Sequence, residues 1–256
     1  MQGRTSGRRL QSLIGRDVKI GASTWIGKDV EIGDGTVIAP LVVIRSGVRI
    51  GKGCRIETGA VLGVIPQDRH FQSERSFLII GDRCEIREYA TLSLATGSGQ
   101  KTLIGSGTMI MSYCHIAHNV RVGKSVVITS GSQIGGHVEI GDQVVIGGLS
   151  GIHQFTRVGR LAMLGACSYL NTDLPPFSLA RGNPARFYGI NRVGVERAGF
   201  GRDLIKTIEK VLKTIFRIRS NRTQLRRLMA EYPIPEIKEL IRFFLTSVRP
   251  IIRPCS

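Results

Sequence analysis

Aliphatic residues fall on a six-residue grid along this chain. Ile14, Ile20, Ile26, Ile32, Ile38, Ile44, Ile50, Ile56 and Leu62 open it. Ile80, Ile86 and Leu92 resume it, and it returns at Ile104 and runs to Leu170. The residue four places after each grid position is small at nearly every step, as at Val18, Thr36, Cys54, Ala60, Cys84, Ala90, Cys114 and Ser132. The residue one place after it is most often Gly, which suits a tight turn between short strands. An amphipathic helix would repeat apolar positions at i, i+3, i+4 and i+7. Antiparallel sheet would need turn signals every 8–12 residues. A hexapeptide beat instead predicts a parallel β-helix. Three hexads close one triangular coil of 18 residues, so 24 inward positions predict about eight coils. At roughly 4.8 Å per coil the prism would be roughly 38 Å long. Each coil buries its apolar residues only against its neighbours, so the stack stabilises cooperatively. Periodicity alone leaves the handedness open.

The grid breaks at Val64–Ile79 and at Ser93–Leu103. Insertions into a solenoid become loops on one side, often the binding side. After Leu170 the pattern changes. Asp173–Pro176 and Arg181–Pro184 are chain breakers. Arg202–Arg219 spaces Leu204, Ile208, Leu212 and Ile215 like one face of a helix. Residues 224–230 and 234–248 predict two more helices, divided at Tyr232-Pro233. The fold class is therefore mainly β: a β-helix over residues 1–185, followed by a small α-helical domain over 186–256.

Charge adds a surface to this outline. The formal net charge is +17, and from Arg181 onward 17 Lys/Arg stand against 6 Asp/Glu. Such a surface attracts an acidic carrier protein or an anionic membrane face, unless it is simply a solvated basic helix face. There is no nucleic-acid-binding motif and aromatics make up 6% of the chain, which argues against nucleic acid as partner. The five Cys include no CxxC pair, and Cys54, Cys84 and Cys114 fill small packing slots. A reducing, cytoplasmic setting is expected. The first twelve residues are basic and carry no apolar signal core. No apolar run approaches the 18 residues a spanning helix needs.

Four of the five His, namely His115, His118, His137 and His153, lie within 39 residues, and none occupies an inward slot. His118 to His137 is one coil plus one residue, and His118 to His153 is two coils minus one. All three should stack on one outer strip of adjacent coils, with His115 at its edge. Two chemistries suit such a cluster. A metal site needs imidazoles converging at about 2.1 Å on one ion. A general-base site needs one His with flanking polar groups to place the substrate. Met111 and Tyr113 flank the cluster and are expected to pack beside it.

The runs MSYCHIAHN (Met111–Asn119), IGGH (Ile134–His137) and GIHQF (Gly151–Phe155), in that order, resemble the UDP-N-acetylglucosamine 3-O-acyltransferases of lipid A synthesis. The resemblance continues through Gln67-Asp68, DLPPFSLARGN (Asp173–Asn183), Gly189–Asn191 and Arg197–Phe200, and covers nearly the whole chain. It implies a left-handed β-helix and a homotrimer with active sites between subunits. It implies acyl carrier protein as donor, UDP-N-acetylglucosamine as acceptor, no metal and no cofactor. Transfer would be direct, with no covalent enzyme intermediate. His118 would be the general base on the sugar 3-hydroxyl. The Gly136 N–H would be the oxyanion donor, worth on the order of 3 kcal/mol in the transition state. His115 and Asp68 would hold the glucosamine, and Gln67, His70, His137 and Gln154 would contact substrate. His153 would line the acyl groove and Ala166 would end it. Asn191 and Arg197 would face the nucleotide, where a guanidinium suits a diphosphate.

Several positions depart from the family. Asn119 stands where the family usually has Asp after the base, so a weaker base or a different orienting group is expected. His70 replaces a Lys, Ser93–Thr96 replaces His-Arg-Gly-Thr, and Val193 replaces a Glu. Ala166 stands where Gly is frequent, which implies a shorter acyl chain. Other readings are a paralogue acting on a 3-amino sugar nucleotide, a zinc-dependent β-helix of the carbonic anhydrase type, and a non-catalytic homologue.

Overall fold

The computed structural model describes residues 12–218 and 221–254, so the basic N-terminal segment lies outside the described residues up to Gln11. Twenty-four short strands run from β1 (Leu13–Ile14) to β24 (Tyr169–Leu170), and every grid aliphatic sits in one of them. They fall into three parallel stacks in which each strand pairs with the strand three places on. The register confirms the 18-residue coil: His115 lies beside Gln133, Gln133 beside Gly151, and Gly151 beside Tyr169. The result is a left-handed β-helix.

Inward aliphatics from Ile32 to Leu170 are buried, whereas Ile14 and Ile20 at the N-terminal end are each 46% exposed. The small positions between them are buried too, and their polar atoms mostly find backbone partners, Thr156 Oγ1 being an exception. Thr36 Oγ1 donates to Gly51 O at 2.9 Å, and Ser132 Oγ to Gly147 O at 3.0 Å. The Cys54 and Cys84 thiols reach Gly81 O and Gly105 O at 3.1 and 3.2 Å, so these cysteines are packing residues. Backbone N–H groups bond to the next coil, as Gly15 N to Ile32 O at 2.8 Å.

The turn glycines need a correction. The residue that turns each corner at positive φ lies three places after the aliphatic, at Asp17, Arg83, Tyr113, Asn119, His137 and Leu149 for example. The glycine one place after the aliphatic is there because the next coil passes too close. A Cβ at Gly123 would meet Asp142 N at 2.7 Å and one at Gly51 would meet Asp82 N at 2.6 Å.

Both insertions leave the third stack and re-enter the first. Residues 65–76 join β9 (Val61–Val64) to β10 (Phe77–Ile80), and residues 94–100 join β12 (Thr91–Ser93) to β13 (Lys101–Ile104). They therefore project at the same corner, and Gly97 N bonds Glu74 Oε1 across them at 2.5 Å. The three corners differ chemically. One carries charge, with Arg16, Asp34, Lys52, Asp82, Lys124 and Asp142. The second is apolar, with Leu41, Tyr89, Tyr113 and Leu149 all exposed and Tyr89 stacked on Tyr113 at 5.3 Å. Tyr113 is 63% exposed there, so it does not pack beside the histidines as expected. The third corner carries the insertions and the histidines.

The β-structure continues past residue 185. Strand β25 (Ser178–Arg181) extends the second stack, and β26 (Arg186–Ile190) pairs with it antiparallel. Among the described residues four helices follow: α1 (Arg192–Arg197), which the sequence pattern missed, α2 (Arg202–Arg217), α3 (Arg222–Glu231) and α4 (Pro235–Thr246). Arg219, the expected end of α2, lies outside the described residues. The buried face of α2 is Ile205, Ile208, Val211, Leu212 and Ile215, with Leu204 only partly covered. The tail then straps back onto the last coil. Asp173 N donates to Pro250 O and Ile252 N to Asp173 O, both at 2.9 Å. The Asp173 carboxylate accepts from Ser247 Oγ and from Arg157 N, and burial pushes its pKa up. None of the described helices is long and apolar enough to cross a membrane.

Stability should follow depth in the stack. Ile128→Ala, at a fully buried slot, is expected to cost about 2–5 kcal/mol, and Ile20→Ala, at the open end, well under about 1 kcal/mol. Urea denaturation of both variants checks this, and equal losses would contradict it.

Candidate active site

The third corner is built on three successive coils. Each supplies four residues between an inward aliphatic and the next small slot: Ala117–Val120, Gly135–Val138 and His153–Thr156. Because the coils repeat at fixed spacing, side chains displaced by one coil meet. The His118 and His137 rings pack edge-to-face with centroids 5.2 Å apart, and His137 stacks on Phe155 at 4.7 Å. His153 faces the other way, toward Tyr169. His115 opens β15 (His115–Ile116) and points out of the third stack. Its Nδ1 lies 2.7 Å from Thr91 Oγ1, one coil below.

A groove of about 450 Å³ runs along this face, lined by Gln67, His115, His118, Gly136, His153 and Gln154 among others. Six of the expected site residues therefore share one wall. Asp68, from the first insertion, brings Oδ2 to 4.0 Å from His118 Nδ1. His137 faces a second groove of about 730 Å³ on the other side of the corner, with Asn119 and Arg249. His70 is on the first insertion with its side chain 91% exposed, and its ring Nδ1 lies 3.0 Å from Asp68 Oδ1.

Three expected residues lie elsewhere in the chain. Asn191 is buried, caps α1 by accepting from Gly194 N at 3.1 Å, and donates to Leu161 O at 2.9 Å. Arg197 ends α1 on the surface. Ala166 is exposed on the apolar corner. Within one chain, none of the three reaches the histidine groove. Among the described residues, no three His, Cys, Asp or Glu side chains are grouped to share a metal ion.

His118 is held from both sides. Its Nδ1 lies 2.9 Å from Asn119 Oδ1. A Cβ on Gly136 would fall 2.7 Å from His118 Nε2, so only glycine lets the imidazole lie against the backbone of the next coil. The Gly136 N–H has a geometric counterpart elsewhere. On the charged corner the N–H two places after the aliphatic points outward and binds an aspartate of the next coil, as Lys52 N does to Asp82 at 2.8 Å and Lys124 N to Asp142 at 2.7 Å. At Gly136 no acceptor among the described residues takes that N–H. A bare outward N–H beside an imidazole can receive a negatively charged oxygen.

Electrostatics separate the groups. Asp68 is held down to about 2, first by the backbone N–H of His70, then by the His70 ring, with His118 contributing and burial opposing. Burial lowers the pKa of His115 and of His137, and the neighbouring His118 lowers both further. Sequence reasoning missed Thr91, because the second insertion adds residues between the two coils and spoils simple counting. It also missed Arg249, whose Nη2 lies 3.4 Å from His153 Nδ1 and 3.0 Å from Asn171 O. The tail that delivers it has no periodic signal.

The family model described as Udp N-acetylglucosamine O-acyltransferase, Domain 2, matches residues 173–252. The bacterial transferase hexapeptide model matches residues 12–46, 29–63 and 101–136. An acyl-[acyl-carrier-protein]–UDP-N-acetylglucosamine O-acyltransferase of Chlorobaculum parvum is 52% identical over 247 residues, 94% of this chain and 93% of the relative. The corresponding protein of Gloeothece citriformis is 40% identical over 168 residues, and that match spans 66% of this chain and 61% of the relative. Among solved structures, LpxA from Acinetobacter baumannii superposes with a TM-score of 0.91 at 35% identity, over 95% of this chain and 96% of that one. The UDP-N-acetylglucosamine acyltransferase of Campylobacter jejuni gives 0.88 at 36% identity, over 95% and 96%.

A group whose pKa is lowered in the fold is charged more readily when unfolded. His115 and His137 should therefore support the fold at neutral pH and withdraw that support as pH falls below about 6.5 and on through their lower folded-state midpoints. Imidazole NMR titration should place both midpoints below 6.5; midpoints at or above it would contradict the burial argument.

Proposed function

The chain belongs to the UDP-N-acetylglucosamine O-acyltransferase family, and from that membership we propose that it moves an (R)-3-hydroxyacyl chain from acyl carrier protein to the 3-hydroxyl of UDP-N-acetylglucosamine in lipid A synthesis. The observation that carries the proposal is the pairing of a fixed imidazole with an unoccupied backbone N–H across one coil step. Asn119 Oδ1 accepts a hydrogen bond from the N–H at His118 Nδ1, which leaves the Nε2 lone pair facing the groove. His118 Nε2 removes the proton from the sugar 3-hydroxyl as that oxygen attacks the thioester carbonyl. The Gly136 N–H receives the oxyanion that develops. When the tetrahedral intermediate collapses, the thiolate of the carrier's arm leaves and takes the proton held on His118 Nε2, which returns the base to its neutral form. No bond to the enzyme is formed.

The other residues fit around this centre. His115, Asp68, Gln67 and Gln154 hold the acceptor, and His153 lines the acyl path. His70 and His137 extend the substrate contacts on either side of the corner. Asn191 and Arg197 lie away from the groove of their own chain, and their nucleotide roles rest on the neighbouring subunit of a homotrimer. The exposed apolar corner of Leu41, Tyr89, Tyr113 and Leu149 supports that assembly, since monomers rarely leave such a ridge in water. The basic C-terminal helices suit acyl carrier protein and a peripheral contact with an anionic membrane. The free buried thiols fit a cytoplasmic setting.

Acyl transfer from a 3-hydroxyacyl carrier protein to UDP-N-acetylglucosamine is the test, with His118→Ala alongside. The native chain should form product and the folded variant should lose on the order of 10²–10⁴-fold in kcat. A variant within tenfold of native would remove His118 from its role. Product only with the 3-amino sugar nucleotide would reassign the acceptor, and no product with either would make the chain a non-catalytic homologue. Ala166→Gly should shift the product profile toward longer acyl chains in competition between carrier-bound donors; an unchanged profile would reject that position as the limit.

A further inference from the structure

The family's general base is usually followed by Asp, and here it is followed by Asn119. The structure shows what the amide binds at this position. Asn119 Oδ1 accepts from Thr96 N at 2.9 Å, and Asn119 Nδ2 donates to Thr96 O at 3.0 Å. This two-point clamp fixes which end of the amide is oxygen. The oxygen end also faces His118 Nδ1 at 2.9 Å, and an oxygen that cannot donate requires that nitrogen to carry the proton. Thr96, on the second insertion, thus sets the tautomer of a histidine on another coil. An aspartate at 119 would turn one carboxylate oxygen against the Thr96 carbonyl and lose the donor.

The amide orients the ring but brings no charge. The nearest carboxylate belongs to the other insertion: Asp68 Oδ2 stands 4.0 Å from the same Nδ1, with the side chain 17% exposed. The two insertions are tied together by Gly97 N to Glu74 Oε1 at 2.5 Å and Gly99 N to Arg75 O at 2.8 Å. We propose that the single carboxylate partner of the base is replaced here by two positioning residues, Asn119 clamped by Thr96 for the tautomer and Asp68 for the negative charge that stabilises the imidazolium. This rests on His118 being the base and gives Asp68 a second task beside holding the sugar. Asp68 is ionised throughout the working range, so it can serve as a constant charge. The other titratable groups facing His118 are His115 on its own coil and His137 on the next coil. Lys101, Arg121, Glu139, Arg157 and Arg249 line the groove beyond Asn119.

Asp68→Asn keeps the bonds to His70 and removes only charge. The imidazolium then loses its partner, so the acid limb of kcat/KM against pH should move to lower pH, by about one unit. If Asp68 only held the sugar, KM would rise and the limb would stay in place. Asn119→Asp restores the family residue yet should lower kcat at least about tenfold; an equal or higher kcat would overturn the clamp. Nitrogen-15 NMR of the His118 ring reads the same quantities without turnover. The native chain should show the Nδ1–H tautomer alone, Asn119→Ala a mixture, and Asp68→Asn a lower titration midpoint. Native tautomer in Asn119→Ala, or an unmoved midpoint in Asp68→Asn, overturns the proposal even if a variant is inactive. If His118→Ala remains active, the underlying reading fails instead, and the two failures are told apart by that variant.

Discussion

Nearly every corner of this prism turns on a residue held in the left-handed backbone region, three places after an inward aliphatic. That conformation costs a non-glycine residue roughly 1–2 kcal/mol, and the chain adopts it repeatedly with residues such as Arg83, Tyr113 and Leu149. The ladder of coil-to-coil hydrogen bonds and the buried aliphatic column offset that cost. Two of the corner residues are Asn119 and His137, both at φ 59. The site is therefore not mounted on the scaffold as a separate loop. Its parts are corners, and their spacing is the coil spacing.

That is why so much of the site could be read from the chain. Counting in eighteens brought His118 to His137 and put His115 and His153 beside them, whereas Gly136 was singled out only by the family resemblance. Counting failed where periodicity stops. The conformations of the two insertions, and so the Thr96 clamp and the approach of Asp68, follow from contacts between segments that share no repeat. The cap that Asn191 places on α1 was not legible either, since a polar residue before a short helix looks the same whether it caps or binds. On α2 the expected Ile208, Leu212 and Ile215 are buried, but the first core position is Ile205 rather than Leu204, because both are apolar and only packing chooses between them. Position-specific glycines were recognised but explained wrongly: backbone crowding, which needs the neighbouring coil, decides them rather than φ.

The polar part of the site divides its labour by environment. Burial shifts the histidines covered by neighbouring coils toward the neutral form, while Asp68 beside the base is held ionised chiefly by His70 of its own insertion. Burial and local hydrogen bonds thus set neighbouring groups apart without any of them leaving the regular lattice of corners.

The antiparallel strand β26 at the C-terminal end bears on a hazard common to stacked parallel sheets. An unfinished coil offers a row of free N–H and C=O groups, a template on which another molecule can continue the stack. Here the second stack ends in a strand running the wrong way to be extended by a further coil, and the returning tail covers Asp173 and Phe187 beside it. A solenoid has two ends, and this one is sealed at the end nearer the histidines. Growth into fibres by head-to-tail addition is blocked there by topology, independently of how soluble the surface is.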